Sequence, residues 1–287
     1  LICSIPKILI RIKQERAWLR RFAGTEGLDL VISDNRYGLT VEGVFCVFIT
    51  HQLRIRTPFG RWADDLLQWM NYRLIRNFSR CWVPDVSGSK ALAGKLSNPV
   101  DKPIIPLRYI GWLSRLTPRE NDSDADVLVL LSGPEPQRSL LEEKILEQTA
   151  GLACKIVLVR GLPGGGPALK SGSMIVYDHL PAAELEQVMA GAQLVIARSG
   201  YSTVMDLARM GKRAILIPTP GQTEQEYLGR YLAEKGWSVC MRQNELSLSD
   251  ALSQAPMKPC WPVDERPDRL AEEIGSVLAQ SRPSALG

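Results

Sequence analysis

The chain has 287 residues, 45% of them apolar and 23% charged, with 23 Gly, 19 Pro and 5 Phe. Such a composition excludes disorder, collagen and coiled coil, the length suits about two domains of ~100–150 residues, and no apolar run approaches the ~20 residues that span a bilayer. The net charge of +4 is uneven, with 16 Lys and Arg against 9 Asp and Glu in residues 1–106 but 19 against 22 in residues 107–287, which points to different partners for the two parts.

Residues 5–22 read as a basic helix, with Ile8, Ile12, Leu19 and Phe22 near helical spacing. Residues 28–34 and 44–50 read as short strands, the second ending at His51-Gln52. A long amphipathic helix is expected over 61–79, with Trp62, Leu66, Trp69, Leu74 and Phe78 roughly on one side, and a third strand and its loop over 80–85. The Ser-, Gly-, Lys- and Pro-rich stretch 87–106 reads as a loop and linker, and residues 107–116 are expected to open a second domain. Strands then follow at 127–131, 155–160, 174–177, 194–197 and 214–217. Helices are expected at 137–149, 183–190, 202–210, 224–235 and 268–280. Alternating strands and helices indicate an α/β chain with parallel sheets.

Six cysteines stand apart without a C-x-x-C pair, and there are two His. That argues against a zinc site and for free thiols in a reducing, cytoplasmic setting. The chain opens on Leu1 with no signal-peptide pattern, which leads to the expectation of an upstream segment.

Ligands of open parallel sheets lie beyond the carboxyl ends of the strands, and four such loops carry unusual chemistry. In the loop after Leu131, Ser132-Gly133 makes a tight turn into a helix start, where free N–H groups favour an anion. A plain turn is the competing reading. After Ala197 comes Arg198-Ser199-Gly200-Tyr201-Ser202-Thr203. Ser199 and Gly200 permit close backbone approach, Ser202 or Thr203 can cap the helix, and the helix start suits a diphosphate with Arg198 as counter-charge. Asp206 lies three residues beyond Thr203, where a carboxylate can accept from both ribose hydroxyls or compensate the helix dipole. After Ile217, Gln222, Glu224, Gln225 and Glu226 crowd polar groups suited to a sugar, or form a solvated helix start with Thr223 and Glu226 as a capping box. Tyr177-Asp178-His179 offers backbone groups for a base edge, or an ordinary turn.

Together these loops resemble the donor-binding half of a GT-B glycosyltransferase. The resemblance is to the UDP-N-acetylglucosamine transferase family of peptidoglycan synthesis and its relatives with the same C-terminal domain, glycosyltransferase family 28. It is strongest from Tyr109 to about Gly236, above all in Arg198-Ser199-Gly200, Thr203 and Asp206, then Pro218 and Gln225-Glu226-Tyr227. It implies two Rossmann-like domains facing across a cleft. The first is an incomplete acceptor-side domain over 1–106, with the loops Asp34–Gly38 and Thr50–Gln52. The second is a donor-binding domain over 107–287, whose last helix packs back on the first.

By position, the resemblance implies that Ser199, Gly200 and the N–H groups after them hold the UDP phosphates, with Ser132-Gly133 closing the donor site. Asp206 stands where the family usually has Glu, Gln225 falls on a sugar-contacting Gln, and Glu226 stands where a second Gln is common. The loop 177–179 lies where backbone atoms contact uracil. The family's other Gly-rich loop, which carries a His proposed as general base, has no counterpart before Leu28; His51 is the imidazole of the first half that could take a hydroxyl proton.

The reaction implied is inverting, metal-independent transfer of a sugar, with N-acetylglucosamine as the candidate, from a UDP-sugar to an acceptor hydroxyl. The UDP-sugar is a substrate, and no cofactor or metal is expected. Asp122–Asp126 precedes a strand and reads as a solvated acidic loop, and Leu162–Pro167 lacks the Lys-Ser/Thr of a phosphate loop and reads as flexible surface. The basic helix, with Lys7, Arg11, Lys13, Arg16, Arg20, Arg21 and Trp18, is either a solvated face or a peripheral contact with anionic lipid at the inner membrane face, matching a lipid-linked acceptor. Nucleic acid is not expected, because no reading motif accompanies the charge. Two other classes share the fold: a hydrolase or epimerase of UDP-sugars, separable by product analysis, and a non-catalytic sugar-nucleotide-binding module.

Overall fold

A computed structural model describes residues 5–118, 125–149, 154–164, 166, 168–254, 261–265 and 269–281. The chain divides into two compact units, Leu1–Trp112 with Asp264–Gly287, and Leu113–Val263.

The first unit opens with helix α1 (Ile5–Glu26) and continues through β1 (Leu30–Asp34), β2 (Phe45–Ile49), α2 (Arg61–Ile75), β3 (Arg80–Val83) and β4 (Leu107–Tyr109). The four strands form one parallel sheet in the order β1-β2-β3-β4. Its core joins Leu19, Val31, Cys46, Phe48, Leu53, Ile75, Phe78, Cys81 and Val83. Tyr37 stacks on Phe48 with ring centroids 4.9 Å apart.

Leu107–Tyr109 pairs with β3 through Cys81–Val83. The boundary expected at 106/107 therefore falls at 112/113, because this short strand completes the first sheet instead of opening the second. The stretch 87–106 is more than a linker. Asp85, fully buried after β3, accepts from the N–H groups of Val86, Leu92 and Ala93 at 2.8–2.9 Å and from Ser97 Oγ at 2.6 Å. One carboxylate thus gathers the loop around it, beside the buried Ala91, Leu92, Ala93 and Leu96.

Helix α2 departs from expectation in its orientation. The residues it buries are Ala63, Gln68, Asn71 and Ile75. Gln68 donates to Leu53 O at 2.5 Å and accepts from the Ile55 N–H at 2.9 Å, while Asn71 accepts from the Tyr37 hydroxyl at 2.8 Å. Those bonds fix the polar side inward, so Trp62, Leu66 and Trp69 face solvent. The helix also stops short of residue 79: the Asn77 side chain turns back to Leu74 O at 3.0 Å.

The second unit runs β5 (Val127–Leu130), α3 (Gln137–Thr149), β6 (Ile156–Val159), β7 (Leu169–Ser171), β8 (Met174–Tyr177), α4 (Ala182–Gly191), β9 (Leu194–Ala197), α5 (Tyr201–Met210), β10 (Arg213–Leu216), α6 (Thr223–Glu234), β11 (Val239–Cys240) and α7 (Leu248–Gln254). Its sheet has the order β11-β10-β9-β5-β6-β8-β7, with β7 antiparallel to β8 and every other pair parallel. Near-continuous apolar strands such as Val-Leu-Val-Leu and Leu-Val-Ile-Ala are what a parallel sheet covered on both faces requires. Val129, Leu158, Ile196 and Ile215 belong to its core.

The chain then returns to the first unit in α8 (Arg269–Ser281), where Glu273 meets Arg80 at 2.9 Å and Arg108 at 3.3 Å. Where the chain leaves the first unit and where it comes back, the Trp112 N–H donates to Asp264 Oδ2 at 3.3 Å.

Candidate functional site

The chain runs from β5 to β6 on one side, and β9 then pairs with β5 on the other. In an open parallel sheet such a reversal leaves a crevice beyond the carboxyl ends of the two central strands. The loops after β5 and β9 border it, and the loop after β10 adjoins it. Gly133 has φ 102°, and a Cβ placed there would lie 3.6 Å from Thr219 Oγ1, so the loops after β5 and β10 meet. Gly161, after β6, has φ 71° and packs against the Leu131 carbonyl, where a Cβ would come within 2.5 Å of the oxygen.

Helix α5 points its first turn at the carboxyl end of β9. Its N-cap is Gly200, and no side chain caps it. Ser202 and Thr203, expected as caps, lie inside the first turn instead, since the helix already begins at Tyr201. Their N–H groups have no partner within the helix by geometry. The positive end of the dipole is thus presented at the crevice without an internal acceptor.

Arg198, expected as a counter-charge to the diphosphate, sits at the end of β9. It is only 1% exposed. Its Nη1 donates to Ile217 O and Pro218 O, both at 3.2 Å, and its Nη2 to Gln137 O at 2.6 Å. One guanidinium thereby ties the end of β9 to the loop after β10 and to the start of α3. Among the described residues it has no carboxylate partner, and burial lowers its pKa to about 10. The Ser199 hydroxyl is also engaged, donating to Gln225 O at 2.8 Å.

The loop after β10 is braced from within. Gln225 accepts from the Thr219 N–H at 2.9 Å and donates to Gln222 Oε1 at 2.7 Å, and Glu226 accepts from the Gly221 N–H at 3.0 Å. Gln222 is the N-cap residue of α6 and makes no side-chain capping bond. Glu224 lies half-buried in the first turn. Thr219, which sequence reasoning passed over, is 2% exposed and its hydroxyl is unpartnered among the described residues. Its only sequence signal is its place between two prolines.

Asp206 sits one and a half turns into α5, half-buried, and accepts from Ser114 Oγ at 2.6 Å. Burial pushes its carboxyl above the ordinary range; the Ser114 bond and the Arg115 charge pull the other way. Ser114, unnoticed in the sequence, accepts in turn from the Leu116 N–H at 3.1 Å.

The loop after β8 is held by charge. Asp178 accepts from Arg160 at 2.8 Å and from the Gly166 N–H at 3.1 Å, and Arg160 holds its carboxyl below the usual range. Arg160 also pairs with Glu142 at 2.6 Å, Glu142 with Arg138 at 2.7 Å, and Arg138 with Glu135 at 2.5 Å. This rail joins the loops after β5, β6 and β8. The Tyr177 and Asp178 carbonyls, expected to face a base, accept from the Arg160 and Leu162 N–H groups at 2.8 and 2.7 Å. His179 is exposed, as are Ser132 and Gly133.

The structure thus links Ser199, Gln222 and Gln225 by hydrogen bonds, ties Arg198 and Glu226 to the same loop after β10, and sets Gly133 beside it. His51 belongs to the first unit, at the carboxyl end of β2 beside Thr50, whose hydroxyl accepts from the Gln52 N–H at 3.1 Å. Residues 122–124 of the acidic stretch, and Gly165 and Pro167 of the Gly-rich one, lie outside the described residues.

Known proteins resemble this chain in sequence and in fold. UDP-N-acetylglucosamine–N-acetylmuramyl-(pentapeptide) pyrophosphoryl-undecaprenol N-acetylglucosamine transferase from Acidiphilium cryptum is 28% identical over 197 residues, covering 61% of this chain and 54% of the relative. The enzyme of the same name from Desulforudis audaxviator is 33% identical over 140 residues, 48% of this chain and 35% of the relative. The chain therefore spans about half, or less, of the length of these curated relatives. Among solved structures, the glycosyltransferase of kitacinnamycin aligns with a TM-score of 0.62 at 15% identity, over 98% of this chain and 80% of its own. MurG from Acinetobacter baumannii aligns at 0.54 and 14% identity, over 96% and 75%. The fold is GT-B, and residues 168–271 match the glycosyltransferase family 28 C-terminal domain.

Proposed function

We propose that the chain is a glycosyltransferase that takes a sugar from a UDP-sugar and passes it to an acceptor hydroxyl, inverting the anomeric carbon and needing no metal. The observation that carries the reading is the uncapped start of α5, opening on the crevice within the segment that matches the family domain. In this reading the diphosphate meets the Gly200–Thr203 turn, and the buried guanidinium of Arg198 adds positive charge beneath it without touching it. As the glycosidic bond to UDP breaks, negative charge grows on the leaving phosphate, and these fixed dipoles need no reorganisation to receive it. Asp206, oriented by Ser114, takes the ribose hydroxyls. Gln222, Gln225 and Glu226 lie where a sugar would be read, and N-acetylglucosamine is the sugar that the relatives' names suggest.

Those names also suggest an acceptor on a lipid carrier. No helix among the described residues is long and apolar enough to cross a membrane. His51 is the candidate general base.

Calorimetry with UDP, followed by a product assay with UDP-N-acetylglucosamine, tests the reading. UDP should bind, and Asp206→Asn should weaken it by about 1–3 kcal/mol, the cost of a poorly matched buried hydrogen bond. Free sugar released at the same rate with and without acceptor would establish a hydrolase instead, and absence of UDP binding would remove the nucleotide site.

A further inference from the structure

A groove of about 690 Å³ lies on the β11 side of the loop after β10. That volume falls within the ~300–1,000 Å³ of small-molecule pockets. Helix α6 supplies one wall through Glu226, Arg230 and Ala233, which the winding of the helix sets on one side. Pro218 and Pro220 line it from the loop, and the segment Met241–Glu245 after β11 lines it from the edge of the sheet. The crevice described above opens beyond β5 and β9, on the other side of β10. Glu226 stands between the two, and its carboxylate accepts from the Gly221 N–H at 3.0 Å.

The groove is positive around Cys240. That thiol, half-buried at the end of β11, is pushed up by burial and drawn down by Arg230 and Arg242, so both guanidinium charges bear on one spot. Among the described residues no carboxylate pairs with Arg230. Arg242 meets Glu245 at 3.3 Å, but their side chains are 79% and 59% exposed, and water screens such a pair. Gln243 adds an unmatched acceptor. It is 9% exposed, its Nε2 donates to Gln137 Oε1 at 3.2 Å, and its Oε1 has no donor among the described residues. A buried acceptor without a donor is costly, and a ligand that brings an O–H removes the cost. The exposed carboxylates of Glu234 and Glu245 also line the groove. Ionised, they accept hydrogen bonds and give none.

We propose that this groove binds a sugar phosphate. Arg230 and Arg242 suit the phosphate, whose oxygens match guanidinium forks. Sugar hydroxyls donate to Gln243 Oε1 and to the carboxylates, while Pro218, Pro220 and Met241 offer apolar surface to the C–H faces of the ring. A bare inorganic anion would leave Gln243 without a donor and would meet Glu234 and Glu245 as like charges. A neutral sugar would leave both guanidiniums unused. Phosphate at one end and hydroxyls at the other answer both halves of the lining. The site is separate from the crevice and does not depend on the sugar-transfer reading.

Titration calorimetry with the whole chain tests it. Glucose-6-phosphate or glucose-1-phosphate should bind, and glucose, gluconate and inorganic phosphate should each bind more weakly by about tenfold or more. The double variant Arg230→Gln/Arg242→Gln should weaken the sugar phosphate by about tenfold or more and leave the affinity for UDP unchanged. Both arginines are exposed, and unchanged circular dichroism and melting will show that the variant folds. Failure of both sugar phosphates to bind, or equal affinity in the double variant, would overturn the proposal. Inorganic phosphate binding as tightly would reduce the groove to a plain anion site, and gluconate binding as tightly would make it a carboxylate site; either result would overturn it too. A sugar phosphate that UDP displaces and the arginine changes spare would belong to the crevice, with the same consequence.

Discussion

Replacing Arg198 by Met removes one guanidinium and leaves three carbonyls, those of Ile217, Pro218 and Gln137, without their donor. Each buried unpaired acceptor costs about 1–3 kcal/mol. Against that stands the relief of burying a charge with no carboxylate beside it, which is worth several kcal/mol. The balance should be a loss of about 2–4 kcal/mol, at the upper end of single substitutions. For a unit of this size that lowers Tm by about 5–15 °C. Ligand binding separates the clamp from the charge. At an effective dielectric constant of about 20, unit charges about 8 Å apart attract by about 2 kcal/mol. Arg198→Met should therefore weaken UDP well beyond uridine, which lacks the phosphates. Arg198→Lys keeps the charge but not the fork of donors, and should weaken both ligands by similar factors. Calorimetry on the two variants with the two ligands reads all four numbers. Unchanged UDP affinity in Arg198→Met would refute the claim that this buried charge reaches the crevice.

Uridine also reports on Asp206, whose pKa is raised by burial. As pH falls through that raised value the carboxylate is lost and uridine affinity should drop, starting above the range of an ordinary Asp, and Asp206→Asn should flatten the profile. In stability the same group has the opposite sign. Its folded state favours the proton, so stability is greatest below the unfolded pKa and declines as pH rises through the folded one; urea titrations across that range check it. Asp85→Ala strands three N–H groups in a buried loop and leaves the Ser97 hydroxyl with only the Gly94 carbonyl; it should cost about 3–5 kcal/mol, visible as a lower denaturation midpoint. Gly161→Ala sets a methyl group against the Leu131 carbonyl at a positive φ and should cost about 2–4 kcal/mol. By shifting the turn at Ser132-Gly133 it should also weaken UDP, an effect that calorimetry will detect.

Much of the second unit was legible because its strands are short apolar runs separated by polar helix starts. Helix 137–149 and strands 174–177 and 194–197 are read from the sequence with the bounds the structure shows. The short strands β4, β7 and β11 were not, since two or three residues carry no period to read. The α2 stripe misled for a different reason: Trp62, Leu66 and Trp69 have core spacing, yet Gln68 and Asn71 make the inward bonds, and hydropathy alone does not register hydrogen bonds. At the site, spacing marks the turns at the carboxyl ends of the strands, but not which atoms in them are already engaged. Arg198 reads as a counter-charge in sequence, which does not register that it also holds three carbonyls. Asp178 reads as part of a binding loop and is held by Arg160, nearly twenty positions earlier in the chain.

The bond between the Trp112 N–H and Asp264 joins the two places where the first unit is interrupted. Everything between them, Leu113–Val263, is one uninterrupted stretch of polypeptide. The second unit is thus a cassette whose two borders are stapled together. A short bridge from Trp112 to Asp264 should let the remainder close on itself, and the excised stretch could be exchanged between related chains as a single genetic block.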